Sequence, residues 1–159
     1  MPASTTARRP AVQHRPLQPQ PPPARPPRAA LDLGAVPTAP GCARAWTRVI
    51  VREWQLAGLS DASELIVSEL ATNALLASRR EGAASFRLIL TRGQDELAIL
   101  VRDFCPGVPQ SGDAGEEDES GRGLLLVQAM SGRSGWYPPG DGSPGKCVWA
   151  VVTGTGALP

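Results

Sequence analysis

The stretch AASFRLILTRGQDELAILVRD, residues 83–103, decides the fold of this chain. Apolar side chains recur at every second position from Phe86 to Leu90 and from Leu97 to Val101, which is the period of a half-buried β-strand. The residues between these two runs, RGQD at 92–95, are typical of a hairpin turn. We therefore expect two antiparallel strands, over residues 83–91 and 96–103.

Helical patterns precede this hairpin. Over residues 43–56 large apolar side chains recur every fourth position, which predicts an amphipathic helix. Asp61 and Glu64 have the spacing of a helix N-cap and its N3 partner, so a second helix is expected to run to about residue 78. A short edge strand is expected ahead of both helices, over residues 31–33.

The segment after the hairpin contains a loop, a helix and two more strands. Residues 104–120 are rich in Gly, Pro and acidic side chains and predict a loop, and a third helix is expected over residues 123–130. The last strands are expected around Trp136 and over residues 146–152. Because helices and strands are partly segregated along the chain, we expect an α+β fold built as a two-layer sandwich.

The composition limits the class of protein. A chain of 159 residues fits one domain, and 42% hydrophobic residues suffice for a core. No apolar run approaches the roughly 20 residues that span a bilayer, and the start lacks the apolar segment of a signal peptide. Three cysteines without a C-x-x-C spacing argue against a disulfide framework or a zinc site. These features predict a cytoplasmic protein.

The first 30 residues differ from the rest of the chain. They hold five arginines, nine prolines and no acidic residue, which leaves 11 basic and 15 acidic residues in the remainder. Such a segment cannot bury enough apolar surface to offset its conformational entropy, so we expect a disordered tail, favoured over a docking or nucleic-acid arm. A DNA-binding role would depend on this tail alone, and the acidic domain argues against it. The domain is expected over residues 31–153, with residues 154–159 as a C-terminal tail.

Three short motifs carry groups that could act on a ligand. Glu69 and Asn73 are four residues apart and share a helix face, where a carboxylate could activate a hydroxyl and an amide oxygen could bind Mg²⁺. Asp103 ends a strand ahead of a Pro-Gly step at Gly107 and could accept a hydrogen bond from the amino group of a base. Glycines in residues 121–123 would let an anion approach a helix N-terminus. An exposed polar pair, a strand-ending turn and a flexible loop are the simpler alternatives for each motif.

In this order the three motifs resemble a known set. ELATN at residues 69–73 resembles the N box, DFCPG at 103–107 the first glycine box, and GRGL at 121–124 the second glycine box. These boxes belong to the Bergerat ATP-binding family of gyrase, histidine kinases and anti-sigma-factor serine kinases. The compact size and GKCVW at residues 145–149 are most similar to the serine-kinase branch. The resemblance covers residues 31–153 and implies the two-layer α/β sandwich of that family.

The resemblance implies ATP and Mg²⁺ as cofactors. It implies that Asn73 binds Mg²⁺ and that Glu69 is the general base for an attacking serine hydroxyl. It also implies that Asp103 binds the adenine amino group, with Gly107 letting the chain pass close to the base. Phosphoryl transfer depends on positioning and charge neutralisation, which makes this set of roles coherent.

The phosphate and lid assignments also come from the resemblance. Gly121, Arg122 and Gly123 would wrap the phosphates, with residues 108–120 as the lid. Cys147 stands where the family often has a threonine that helps to hold adenine, and a thiol is a poor donor. The chain departs from the family pattern at three positions: Ala77, Cys105 and Cys147.

The function implied is that of an anti-sigma-factor serine/threonine kinase. Such a protein would hold a sigma factor and phosphorylate a serine of an antagonist protein; a homodimer is compatible with this, and no membrane or direct nucleic-acid contact is expected. The alternative is a non-catalytic ATP-binding interaction module. Glu69 favours the enzyme, whereas Cys105 and Cys147 favour the module. His14 is the only histidine and lies in the tail, so a complete histidine kinase is excluded.

Overall fold

The structure is a computed structural model that describes residues 25–107 and 119–154, except for the side chains of residues 119–122. Within these residues, five strands form one antiparallel sheet with the order β1-β2-β3-β5-β4. The elements in chain order are β1 (Arg28–Gly34), α1 (Ala39–Glu53), a short 3₁₀ turn (Ala57–Leu59), α2 (Ser60–Glu81), β2 (Ser85–Arg92), β3 (Glu96–Asp103), α3 (Glu119–Met130), β4 (Arg133–Tyr137) and β5 (Lys146–Thr153).

The hairpin of β2 and β3 lies at the centre of the sheet. Its register places Leu88 opposite Val101 and Leu90 opposite Ile99, and buried positions alternate with more exposed ones along both strands. This alternation follows from the period of two in the sequence, because successive side chains of a strand point to opposite faces. The predicted hairpin is confirmed, with the expected bounds for β3 and a later start for β2.

The helices cover the inner face of the sheet. Val51 of α1 and Val67 and Leu70 of α2 are buried in the same hydrophobic core as Phe86 and Leu88 of β2. Removing these apolar side chains from water is what holds the two layers together. The predicted α+β fold with a sheet layer and a helix layer is therefore confirmed. Among the helices of the described residues, none has the length and apolar character needed to cross a membrane.

The first two helices begin earlier than the sequence pattern predicts. α1 starts at Ala39 and takes Pro40 into its first turn, where the missing N–H of proline removes no helical hydrogen bond. α2 starts at Ser60, whose hydroxyl donates to Glu64 at 2.8 Å. Asp61 lies inside this first turn and makes no side-chain cap, so its predicted N-cap role is wrong.

The edge strand β1 begins before the expected residue 31. It pairs with β2 from Arg28 to Gly34, and the Pro27 carbonyl accepts a hydrogen bond of 2.9 Å from the Arg92 N–H. The domain boundary expected at residue 31 therefore falls inside a strand. Residues 1–24 and 155–159, which include most of the two expected tails, lie outside the described residues.

Candidate functional site

One side of α2 lies against the start of α3. Glu69 and Asn73 are both partly buried and flank the fully buried Leu70 and Ala71. A Cβ added to Gly123 of α3 would collide with Glu69 Oε2, so a larger residue here would displace the carboxylate. The structure thus brings the predicted Glu69 and Gly123 into contact across two helices.

The predicted glycine segment lies inside α3 and not ahead of it. α3 begins at Glu119, four residues earlier than expected, so Gly121, Arg122 and Gly123 belong to its first two turns. The first four N–H groups of a helix lack partners within the helix, and this end carries partial positive charge. The start of α3 is therefore suited to an anion, and Glu69 lies beside it.

Asp103 ends β3 on the inner face of the sheet, where it is 3% exposed. Its two carboxylate oxygens lie 3.1 Å (Oδ1) and 3.0 Å (Oδ2) from Lys146 Nζ, and Oδ1 also accepts a 3.0 Å hydrogen bond from the Cys105 N–H. Lys146 is the residue directly opposite Asp103 in the register of β3 and β5. A buried carboxylate is costly unless it is paired and hydrogen-bonded. Both conditions are met here, through a lysine that the sequence reasoning did not include in the site.

Two glycines shape the backbone around Asp103. Gly107 has φ of +105°, a region that favours glycine, in agreement with its place in the predicted motif. Gly145 has φ of +123°, and a Cβ there would collide with the Asp103 carbonyl oxygen. The start of β5 can approach the end of β3 this closely only because residue 145 is glycine. Gly145 is a site residue that the sequence reasoning missed, although it directly precedes a predicted strand.

Cys147 does not lie beside Asp103 and Lys146. Side chains alternate along β5, so Lys146 faces the helices and Cys147 the opposite, outer face of the sheet, where it stands between Arg102 and Tyr137 of the neighbouring strands. Burial raises the pKa of its thiol, which is therefore neutral at physiological pH. This placement separates Cys147 from Asp103, the residue expected to bind adenine, because a shift of one residue along a strand moves a side chain to the other face.

α2 carries Glu69 and also contacts the residues around Asp103. The thiol of Cys105, two residues beyond Asp103, lies beside the Ser78 hydroxyl in the last turns of α2. Burial raises the pKa of this thiol, and the Asp103 carboxylate acts in the same direction. Glu69 lies nine residues earlier on the same helix, a distance of about 13 Å along the axis. Nine residues are two and a half turns, so the side chains of Glu69 and Ser78 leave α2 on opposite sides.

A comparison with protein families agrees with this arrangement. Residues 32–151 match the family model described as the histidine kinase-like ATPase domain. The chain belongs to this family. A search of curated proteins found none that matches the chain. As a histidine kinase-like ATPase domain, the protein has a fold that supports ATP binding, as the three motifs predict.

The residues of this histidine kinase-like ATPase domain fit ATP and Mg²⁺. The space that a Cβ of Gly123 would fill is taken by the Glu69 carboxylate, which therefore lies against the first turns of α3, and the Asp103 carboxylate has further acceptor sites. No three His, Cys, Asp or Glu side chains of residues 25–107 and 119–154 converge to hold a metal by themselves. Mg²⁺ needs only one or two protein ligands when phosphates and water complete its shell, so the amide oxygen of Asn73 would suffice beside a nucleotide.

Proposed function

We propose that the protein is an ATP-dependent serine/threonine kinase of the anti-sigma-factor type. It would bind Mg·ATP, phosphorylate a serine of an antagonist protein and hold a sigma factor. One observation carries the proposal: the Glu69 carboxylate reaches Gly123 in the first turns of α3. This contact brings a candidate general base to the helix end that suits phosphate groups, as phosphoryl transfer to a hydroxyl requires.

Each site residue has a task in this reaction. Bound Mg·ATP supplies the γ-phosphoryl group and the neutralisation of its charge. Asn73 holds the cation, and Glu69 accepts the proton of the attacking serine hydroxyl. Arg122 and the free N–H groups at the start of α3 hold the phosphates, and Asp103 accepts a hydrogen bond from the adenine amino group. The protein acts by positioning these groups and forms no covalent bond itself.

A non-catalytic ATP-binding interaction module is the second candidate. The observation that favours it is the state of Asp103, whose carboxylate is already bound by Lys146 and by the Cys105 N–H. Part of the polar group that would read the base is thus used inside the protein. In this case the protein would still bind its partners, including a second copy of itself, but Glu69 would transfer nothing.

Transfer of labelled γ-phosphate from ATP to serine-containing antagonists encoded in the same genome tests the proposal. Glu69→Gln should bind Mg·ATP nearly as well as the wild type, because the base acts on the hydroxyl, while transfer falls by on the order of 10²- to 10⁴-fold. Asn73→Ala should abolish the Mg²⁺ dependence of ATP binding. The control is Glu53→Gln, which removes an exposed carboxylate at the end of α1 and should leave transfer unchanged.

The outcomes separate the two candidates. Equal transfer by the wild type and Glu69→Gln would contradict the role of Glu69. A wild-type protein that binds Mg·ATP and labels none of the antagonists would favour the interaction module. A protein that binds no ATP, with or without Mg²⁺, would contradict both.

A further inference from the structure

Lys146 lies on the face of β5 that packs against the helices, where a charged side chain is unexpected. The inward positions of β5 that follow Lys146 are apolar, namely Val148, Ala150 and Val152. Lys146 is 7% exposed, and its ammonium contacts both oxygens of Asp103. A lysine on this face therefore acts on the same carboxylate that the proposed function assigns to the base of the nucleotide.

Among the described residues, some of the hydrogen-bond donors and acceptors of Asp103 and Lys146 have no partner. An ionised carboxylate offers about four acceptor sites, and an ammonium group three donors. Asp103 Oδ1 accepts from the Cys105 N–H and from Lys146, and Oδ2 contacts Lys146. Counted over the described residues, Oδ2 thus keeps acceptor capacity, and Lys146 Nζ keeps at least one N–H. The pair therefore has an acceptor and a donor side by side.

We propose that Lys146 determines base selectivity and that the site accepts guanine as well as adenine nucleotides, an inference that rests on the proposed nucleotide site at Asp103. Adenine has an amino donor (N6) next to an acceptor (N1), so N6 donates to Asp103 and N1 accepts from Lys146. Guanine carries these two groups in the reverse order, an acceptor (O6) next to a donor (N1–H), so a guanine base turned over relative to adenine accepts at O6 from Lys146 and donates from N1–H to Asp103. A carboxylate alone would leave O6 facing negative charge, and unpaired polar groups of this kind cause strong rejection.

Competition for a fluorescent ATP analogue by ATP, GTP and CTP, at fixed Mg²⁺, tests the inference in the wild-type protein. GTP should compete within about tenfold of ATP, since each base finds both partners. CTP should compete much more weakly, because its smaller ring does not reach the pair while its phosphates bind equally. A hundredfold or greater preference for ATP over GTP would overturn the inference while leaving the proposed function intact. Equal competition by CTP would also overturn it, because the phosphates alone would then account for binding.

The variant Lys146→Met tests whether the lysine is the cause of GTP binding. The variant keeps the length of the side chain and removes its donors. Both bases lose one hydrogen bond, but guanine is also left with O6 facing the Asp103 carboxylate, so the preference for ATP over GTP should rise by roughly tenfold or more. Arg87→Met removes an exposed cation from the outer face and should leave the preference unchanged. An unchanged preference in folded Lys146→Met would overturn the role of the lysine. If Lys146→Met does not fold, the wild-type competition decides alone. Binding of neither ATP nor GTP by the wild type would overturn the proposed function, and this inference with it.

Discussion

Lys146→Met should strongly reduce stability, because it breaks a buried ion pair. Lys146 and Asp103 are 7% and 3% exposed, and their charged atoms lie 3.0 Å apart. Without the lysine, the one hydrogen-bond partner that the buried carboxylate keeps among the described residues is the Cys105 N–H. Removing one partner of a buried ion pair costs about 3–5 kcal/mol of unfolding free energy. In a domain of this size, such a loss lowers the melting temperature by on the order of 12–20 °C.

Two further variants show whether the ion pair itself is the cause. Asp103→Asn leaves the ammonium unpaired and should lose a similar free energy of unfolding. The double variant Asp103→Asn/Lys146→Met buries no charge, so it should lose less than the sum of the single variants, with a coupling of about 2 kcal/mol. Arg87→Met is the control, because Arg87 pairs with Asp32 at 2.6 Å but both side chains are about half exposed. Exposed pairs contribute little, and little change is expected there.

Urea-induced unfolding without nucleotide, followed by tryptophan fluorescence at fixed salt, measures these differences. The reasoning is refuted if Lys146→Met loses less than about 1 kcal/mol, far below the cost of an uncompensated buried charge. It is also refuted if the two single losses add to the double loss within about 0.5 kcal/mol, as they do for independent sites. In either case the two side chains would not form a desolvated pair in solution.

Three other substitutions test separate contacts. Gly123→Ala should leave the melting temperature unchanged or higher, because alanine favours a helix. It should also slow phosphoryl transfer at least tenfold, because the added Cβ displaces Glu69. Normal transfer would count against the contact between Glu69 and Gly123. Gly135→Ala should lower stability by about 1 kcal/mol, because its Cβ would lie 3.1 Å from the Trp149 ring, and denaturant unfolding checks this. The Glu64 pKa is lowered, chiefly by a hydrogen bond from an arginine of α1. The stability advantage over Glu64→Gln should thus be present at pH 7 and be lost progressively as the pH falls below about 4.3, the ordinary pKa of glutamate, and through the lowered pKa of the folded state; a pH-independent difference would argue against it.

The sequence predicts those elements in which packing follows a simple period. β3 has the bounds expected from its alternation, because one of its faces is buried along its whole length. The starts of α1 and α3 were placed too late, since residues that usually end helices occur in their first turns. Pro40 is tolerated in the first turn of α1. At Gly123, the close approach of the Glu69 carboxylate accounts for a glycine inside the helix despite its weak helix propensity.

The site was predictable only where a motif stays within one element. Glu69 and Asn73 share one helix, so their spacing alone relates them. The partner of Asp103 depends on the register between β3 and β5, which no local pattern determines. The motif resemblance pointed to Cys147, whereas the register places Lys146 opposite Asp103. The alternation in β5 was the available signal, because it puts residue 146 on the same face as Val148 and Ala150. It therefore predicts a buried lysine, and a buried lysine requires an acidic partner.

Asp103 and Lys146 make the inner face of the sheet polar where β3 ends and β5 begins. Replacing a buried ion pair by apolar side chains of similar size is often neutral or stabilising by about 1–4 kcal/mol. Asp103→Leu/Lys146→Met should therefore unfold at a urea concentration no lower than the wild type. If the pair serves a ligand, this stable variant should bind ATP at least tenfold more weakly, because the base loses its charged partners. A variant that is stable and binds ATP normally would mean that the base is read elsewhere, and that the pair only joins the ends of β3 and β5.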